Sequence, residues 1–120
     1  MADAPSLKRL VKAAAERLLP RRLFLCRGGR GSGRVALTFD DGPHPAHTER
    51  ILAVLREEGV KATFFLVGAE VQKYPALAKA IARDGHAVGG HSWSHHRLNG
   101  MGRASLVTEV ERTAAMIREA

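Results

Sequence analysis

The six residues TFDDGP, Thr38 to Pro43, place two aspartates side by side where an apolar run ends. That run, RVALTF from Arg34 to Phe39, is short and rich in β-forming residues, which predicts a strand buried on both faces. Two adjacent carboxylates at such a strand end repel each other, so they need a nearby cation, proton or set of hydrogen bonds. A turn at Gly42-Pro43 would let both side chains reach one site, whereas a regular strand would point them to opposite faces. The alternative is a turn with helix-capping carboxylates.

The rest of the chain alternates helical and strand-like segments. Two further strands and four helical segments are predicted, at 45–58 (helix), 62–67 (strand, ATFFLV), 69–74 and 75–83 (short helices), 87–90 (strand) and 104–120 (helix). This order predicts an α/β fold of parallel βα units. Reactive side chains in such folds lie at the carboxyl ends of the strands, where the two aspartates fall.

The net charge of +7 belongs to the first part of the chain. Residues 1–34 contain nine Lys and Arg against two acidic residues, whereas basic and acidic residues balance from Val35 onward. Apolar residues at helical spacing predict a basic amphipathic helix from Leu7 to Leu19, and RGGRGSGR, Arg27 to Arg34, predicts a mobile linker. We therefore divide the chain of 120 residues into a leader, 1–33, and one domain, 34–120.

The basic leader has two interpretations. We favour a solvated helix followed by a flexible arm; the alternative is peripheral contact with an anionic membrane, and we expect no nucleic acid partner. Nothing in the sequence approaches the roughly 20 apolar residues of a membrane span or a secretory apolar segment, so the cytoplasm is the default expectation. Cys26 is the only cysteine, which excludes an internal disulfide.

The segment His91-Ser-Trp-Ser-His95 follows the third predicted strand. Two histidines four residues apart would point the same way if the segment formed a helical turn. Together with a carboxylate from the first strand, they would form a set of two His and one Asp that holds a divalent cation and leaves positions open. One aspartate would then bind the cation and the other would remain free as a base. The alternative is a capped turn with solvated histidines and Trp93 packed inward.

Three stretches in order, TFDDGP, ATFFLVG and GHAVGGHSWSH, resemble the NodB-homology polysaccharide deacetylases, carbohydrate esterase family 4. The resemblance runs from about Arg34 to Met101 and continues weakly into the last helix. It implies that the domain is the N-terminal portion of such an enzyme and forms part of an incomplete (β/α) barrel.

The resemblance also implies roles for individual residues. Asp41, His91 and His95 match the metal ligands of the family, and Asp40 matches its catalytic base. The metal implied is a divalent ion, zinc first, with cobalt or manganese as alternatives. The reaction implied is hydrolysis of N- or O-acetyl groups on a carbohydrate polymer, and the sequence points to no substrate-binding residue.

The sequence departs from the family pattern in two respects. Gly90 stands where many relatives have Asn before the first histidine, and the later family motifs, including the general-acid histidine, do not occur before Ala120. The alternative to an active deacetylase is therefore an inactive remnant that binds metal or sugar, or half of an assembly completed by another chain that covers the open sheet edge.

Three other features have predicted structural roles. His86 is expected to hydrogen-bond within a local turn, and Trp93 to pack behind the metal histidines. The acidic residues Glu109 and Glu111 are expected to lie on a solvated helix face.

Overall fold

The computed structural model describes Gly33 and residues 35–120 of the chain. A compact unit spans Ala36–Ala120. The predicted leader helix, the linker and Cys26 lie outside the described residues, and the division at residues 33 and 34 stays a prediction. The elements are β1 (Thr38–Gly42), α1 (Thr48–Glu57), β2 (Thr63–Leu66), α2 (Gly68–Lys73), α3 (Pro75–Arg83), β3 (Ala87–Gly90) and α4 (Arg103–Glu119).

The described strands form one open parallel sheet in the order β1-β2-β3. Thr38 pairs with Thr63 and Thr63 with Ala87, so the strands start level and their carboxyl ends meet at one edge. The predicted α/β class and parallel βα order are confirmed. Each helical segment returns the chain to the end of the sheet at which the strands begin. The alternation of strand-like and helical hydrophobic spacing along the sequence therefore identified the α/β class.

The strand β1 differs from its prediction. It begins at Thr38 rather than at Arg34, and the Thr38 and Asp40 side chains are exposed. Burial on both faces was therefore wrong for this strand. The buried core lies on the other face, where Phe39 stacks on Phe64 with ring centroids 5.0 Å apart.

The core lies between β2 and the helices that follow the first two strands. Leu52 of α1, Leu66 of β2, Val71 of α2 and Ile81 of α3 are fully buried. Burying each of these side chains contributes roughly 1.5–3 kcal/mol. Because the loop ends that follow β1, β2 and β3 emerge from this packed layer, the core fixes their relative positions.

The last helix, α4, packs beside α2 and β3 at positions where neighbouring residues are small. Thr113 of α4 is fully buried. A Cβ added at Gly68 would lie 2.8 Å from Thr113 Oγ1, and one added at Gly90 would lie 3.2 Å from Thr113 Cγ2. The two glycines therefore allow α4 to approach the ends of β2 and β3. In this chain, α4 occupies space that a side chain at position 90 would need.

Within the described residues, no helix combines the length and the apolar character needed to cross a membrane.

Candidate metal centre

The end of β1 is irregular at the two aspartates. Phe39 pairs with Phe64, but the next paired residue is Gly42, opposite Leu66, so the register slips across Asp40 and Asp41. Asp41 has a φ of 70°, in the left-handed region that residues with a Cβ rarely adopt. The alternation of side chains between the two faces of β1 is broken before the predicted turn at Gly42-Pro43. The bend begins at Asp41, one residue earlier than expected.

The end of β3 leads into a loop and not into a helix. His91 donates its backbone N–H to the Leu66 carbonyl over 2.8 Å, which extends the ladder by one residue. Ser92 and His95 then have φ values of 61° and 58°. The helical turn through which the two histidines could point the same way does not form. Two left-handed residues reverse the chain instead, and the Ser92 hydroxyl accepts a bond from the His95 N–H over 3.1 Å.

The two loop ends bring Asp41, His91 and His95 together. The Nε2 atoms of His91 and His95 lie 3.2 Å and 2.9 Å from the same oxygen, Oδ1 of Asp41. One ligand atom from each residue lies within 4.8 Å of the others. The Asp41 side chain is 65% exposed, and His91 is 34% exposed. The group is thus open on one side to solvent or to a substrate.

The donor set fits a divalent cation. Zinc lies about 2.0–2.2 Å from imidazole nitrogen and carboxylate oxygen, which separates neighbouring ligand atoms by roughly 2.8–3.6 Å for angles between square and tetrahedral. The two measured distances to Asp41 Oδ1, 2.9 Å and 3.2 Å, agree with this range. The same distances also suit hydrogen bonds from protonated Nε2 atoms to the carboxylate. Either way, both imidazoles point one nitrogen at one oxygen, as a shared ligand site requires.

The exit of the central strand holds the two loop ends in place. Val67 donates its backbone N–H to the Gly42 carbonyl over 2.8 Å, and Gly68 donates to the Ser92 carbonyl over 3.0 Å. Ala69 donates in turn to the Trp93 carbonyl over 3.1 Å. The chain that follows β2 is therefore hydrogen-bonded to the aspartate side and to the histidine side of the group.

A model of the family described as polysaccharide deacetylase matches residues 27–120. The chain belongs to the polysaccharide deacetylase family. The match is longer at both ends than the stretch on which the sequence resemblance depends.

Two curated relatives indicate the range of this polysaccharide deacetylase family. The chain is 48% identical over 71 residues to a peptidoglycan-N-acetylglucosamine deacetylase of Bacillus cereus, and 40% identical over 94 residues to a chitooligosaccharide deacetylase of Sinorhizobium fredii. These stretches are 59% and 78% of this chain but only 26% and 44% of the two relatives.

A solved structure of a relative shows that the similarity extends to the fold. A family 4 carbohydrate esterase from Streptomyces lividans is 36% identical and superposes with a TM-score of 0.70, over 73% of this chain and 45% of that one. The sheet thus resembles part of the (β/α) barrel of these esterases, as predicted. The chain spans less than half the length of each relative described.

The helix α4 contributes a contact to the loop after β3 that the sequence interpretation missed. The backbone N–H groups of Trp93 and Ser94 donate to Oε2 of Glu109, each over 2.9 Å, and the Ser94 hydroxyl donates to Oε1 over 2.9 Å. The prediction that Glu109 lies on a solvated helix face is therefore wrong, whereas Glu111 is exposed as predicted. The backbone hydrogen bond from Ser94 is the main cause that lowers the pKa of Glu109. A glutamate on a polar helix carries no sequence signal of such a contact.

Trp93 packs against α4. The Arg112 guanidinium lies 3.5 Å from the Trp93 ring centroid, a cation–π geometry. A Cβ at Gly68 would lie 2.5 Å from Trp93 Cε3, so the ring also covers the start of α2. The ring faces α2 and α4, and its predicted packing behind the metal histidines stays a prediction.

The remaining residues of interest do not belong to the group of three donors. His86 is buried, and its Nδ1 accepts the Ala62 N–H over 3.3 Å, so the predicted local turn bond is wrong. His44 and His47 stack on each other with ring centroids 4.5 Å apart and are exposed. Asp40 is exposed beside Asp41, and its role as a base stays a prediction.

Proposed function

We propose that this chain provides the metal-binding part of a carbohydrate deacetylase, in which Asp41, His91 and His95 hold a divalent cation, zinc in the first instance. The observation that carries the proposal is the convergence of both Nε2 atoms on Asp41 Oδ1. The relatives support the substrate class: one is a peptidoglycan-N-acetylglucosamine deacetylase, another a chitooligosaccharide deacetylase. We infer that the substrate is a polymer or oligomer of acetylated amino sugars.

The chemistry divides between the two adjacent aspartates. When bound, the cation supplies Lewis acidity toward the acetyl carbonyl and toward an attacking water molecule. Asp41 uses its carboxylate to hold the cation, whereas Asp40 accepts the proton that the water loses as it attacks the carbonyl carbon. As the carbon–nitrogen bond breaks, the leaving nitrogen takes up the proton that Asp40 accepted, so the sugar leaves as a free amine and the acetyl group as acetic acid, which ionises to acetate. Acetate is the molecule bound in the solved Streptomyces lividans esterase.

Zinc titration of the full chain tests the ligand assignment. His91→Ala and His95→Ala each remove one donor, so we expect zinc affinity to fall by about 100-fold or more. The matched control is His47→Ala, which removes an exposed imidazole at the residue that precedes α1. This variant should leave the zinc affinity unchanged. Equal affinity in the wild type and both ligand variants would overturn the site.

Acetate release from acetylated chito-oligosaccharides tests the assignment of the base. Asp40→Asn keeps the size of the side chain but cannot accept the proton, so we expect zinc binding to persist and turnover to fall by about 10²–10⁴-fold. Full activity of this variant would exclude Asp40 as the base. Zinc binding with no acetate release from the wild-type chain would instead favour the second candidate function.

The second candidate is half of an assembly that another chain completes. It is favoured by the coverage of the relatives and by β1, which is an edge strand of the described sheet, preceded by the exposed residues Val35 (93%) and Leu37 (40%). Sedimentation of the purified chain together with its activity distinguishes the two candidates. Turnover by a monomer excludes the second.

Peripheral membrane contact through residues 1–34 is a separate part of the proposal. It rests on the excess of basic residues in that segment. Binding to vesicles that contain phosphatidylserine should weaken steeply between low and physiological salt, because screening acts on each exposed charge. Salt-independent binding would contradict it.

A further inference from the structure

We propose that Glu109 is a positioning residue for the metal centre: its carboxylate holds residues 92–95, the site loop, in the conformation that brings His91 and His95 to Asp41. This inference rests on the proposed function, because it concerns the geometry of the same three ligands. Nothing in the comparisons assigns Glu109 a role.

The first argument is the number and placement of its hydrogen bonds. Glu109 lies on α4, and both of its oxygens face the site loop: Oε2 accepts two backbone N–H groups, of Trp93 and Ser94, and Oε1 accepts the Ser94 hydroxyl. The two N–H groups belong to consecutive residues, so one oxygen fixes the orientation of two peptide planes. These planes lie between the two histidines in the sequence.

The second argument is that the site loop needs such support. Ser92 and His95 both adopt positive φ values, and a residue with a Cβ in this region is held there by its surroundings. Within the loop, the bond from the His95 N–H to the Ser92 hydroxyl closes a three-residue span. The bonds to Glu109 come from outside the loop and connect it to a 17-residue helix. The helix thus supplies a rigid frame for a conformation that the loop disfavours on its own.

The third argument is that Glu109 itself is well fixed. Its backbone carbonyl accepts the hydroxyl of Thr113 over 2.7 Å, and Thr113 is fully buried against the ends of β2 and β3. Arg112, on the same helix, lies over the ring of Trp93 in the site loop. The carboxylate therefore sits on a part of α4 that cannot shift without disturbing the packed layer.

Four variants separate support of the loop from electrostatic attraction of the cation. Glu109→Gln loses the charge but keeps an oxygen that accepts both N–H groups. Glu109→Asp keeps the charge but is one methylene shorter, so the carboxylate withdraws from the loop. Glu109→Ala removes the contact, and Glu111→Ala is the matched control for a glutamate on the exposed side of the same helix.

The experiment is zinc affinity of the full 120-residue chain, measured by competition with a chromophoric chelator, with unfolding of the metal-free chain recorded in parallel. We expect affinity to fall about 10–100-fold in Glu109→Ala and Glu109→Asp, and to stay within about threefold of the wild type in Glu109→Gln and Glu111→Ala. Loss in the Gln variant with retention in the Asp variant would show a purely electrostatic effect and overturn the proposal. Unchanged affinity in the Ala and Asp variants would also overturn it.

A destabilised control separates positioning from general stability. Met116→Ala removes a side chain of α4 that packs on the core about two helical turns beyond Glu109. We expect this variant to unfold more easily than the wild type but to keep its zinc affinity under conditions in which it is folded. If Met116→Ala loses as much affinity as Glu109→Ala, the effect belongs to the helix as a whole and the proposal fails.

The ligand variants distinguish the failure of this inference from the failure of the proposed function. If His91→Ala weakens zinc binding and Glu109→Ala does not, the metal centre stands and only the positioning role is wrong. If neither variant changes the affinity, the metal centre itself is wrong. Should Glu109→Ala fail to fold, the comparison of the Asp and Gln variants decides the question alone.

Discussion

At the scale of single residues, the candidate site combines unusual backbone conformations with ordinary side chains. Among the described residues, the non-glycine positions with positive φ are Asp41, Ser92 and His95. Each lies at or between the proposed ligands. Left-handed backbone at a residue with a Cβ costs of the order of 1–3 kcal/mol, so the surrounding packing must compensate for it. Such a concentration of local strain is typical of a site that positions a ligand.

His86 gives the clearest effect of pH at this scale. Burial of the imidazole, reinforced by the nearby Lys61 ammonium, lowers the pKa of His86 below its ordinary value of 6.5. In the unfolded chain the His86 imidazole binds a proton near pH 6.5, whereas in the folded chain it does so only at a lower pH. The free energy of unfolding should therefore be highest above this pH and should fall as the pH decreases toward the folded pKa.

Chemical denaturation of the metal-free chain at pH 5 and pH 8 measures this effect. His86→Asn keeps an acceptor for the Ala62 N–H but cannot titrate, so we expect it to lose less stability on acidification than the wild type does. His96→Asn, at an exposed histidine, is the control and should follow the wild type. Parallel pH profiles for the wild type and His86→Asn would contradict the prediction.

At the scale of elements, the site depends on how closely α2, α4 and the site loop approach one another. Gly68 begins α2, and a Cβ there would lie 2.5 Å from Trp93 and 2.8 Å from Thr113. Alanine normally favours a helix over glycine by up to about 1 kcal/mol, so propensity alone would make Gly68→Ala stabilising. The clash of the added Cβ with Trp93 and Thr113 acts in the opposite direction and destabilises the chain.

We therefore expect Gly68→Ala to destabilise the chain by about 1–3 kcal/mol, as overpacking does. It should also weaken zinc binding, because the displaced Trp93 belongs to the site loop. Gly102→Ala is the comparison: nothing lies within 4 Å of its added Cβ, and we expect it to cost less than about 1 kcal/mol as a helix N-cap. Urea denaturation and zinc titration measure both effects, and a stabilised Gly68→Ala would refute the crowding argument.

The sequence predicted the elements well but did not predict the site loop. Hydrophobic periodicity is a local property, so the three strands and their helices were recognised within a few residues of their observed ends. The paired histidines were recognised too, but the left-handed loop that carries them was not. The conformation of Ser92 and His95 depends on Glu109, which is 14 residues beyond His95, and on the absence of a side chain at Gly68. Contacts between distant segments leave no periodic pattern in the sequence.

At the scale of the whole molecule, the described sheet has a packed face and an exposed edge. Its order leaves one side of β1 without a partner strand among the described residues. A groove of about 490 Å³ lies beside this strand, between β1 and α1, with Leu37 and Val54 in its lining. An edge strand next to apolar surface is a site at which chains associate.

We predict that Leu37→Lys reduces concentration-dependent self-association of the chain. A charge at the strand edge opposes pairing with another edge, whereas the added lysine should leave the metal centre unchanged. Val110→Lys is the matched control, since Val110 is 55% exposed on α4 and lies outside the groove lining. Sedimentation velocity at several concentrations measures the difference, and an equal reduction in both variants would indicate a general effect of charge.

The ligands of the candidate centre come from the two outer strands, β1 and β3, and none comes from the strand between them. During synthesis, Asp41 would leave the ribosome long before His95, so the chain cannot load an ion until the last of the three strands has docked. Once held, the ion would link β1 to the loop that follows β3 and would resist their separation by a free energy that rises with the logarithm of its concentration relative to its dissociation constant.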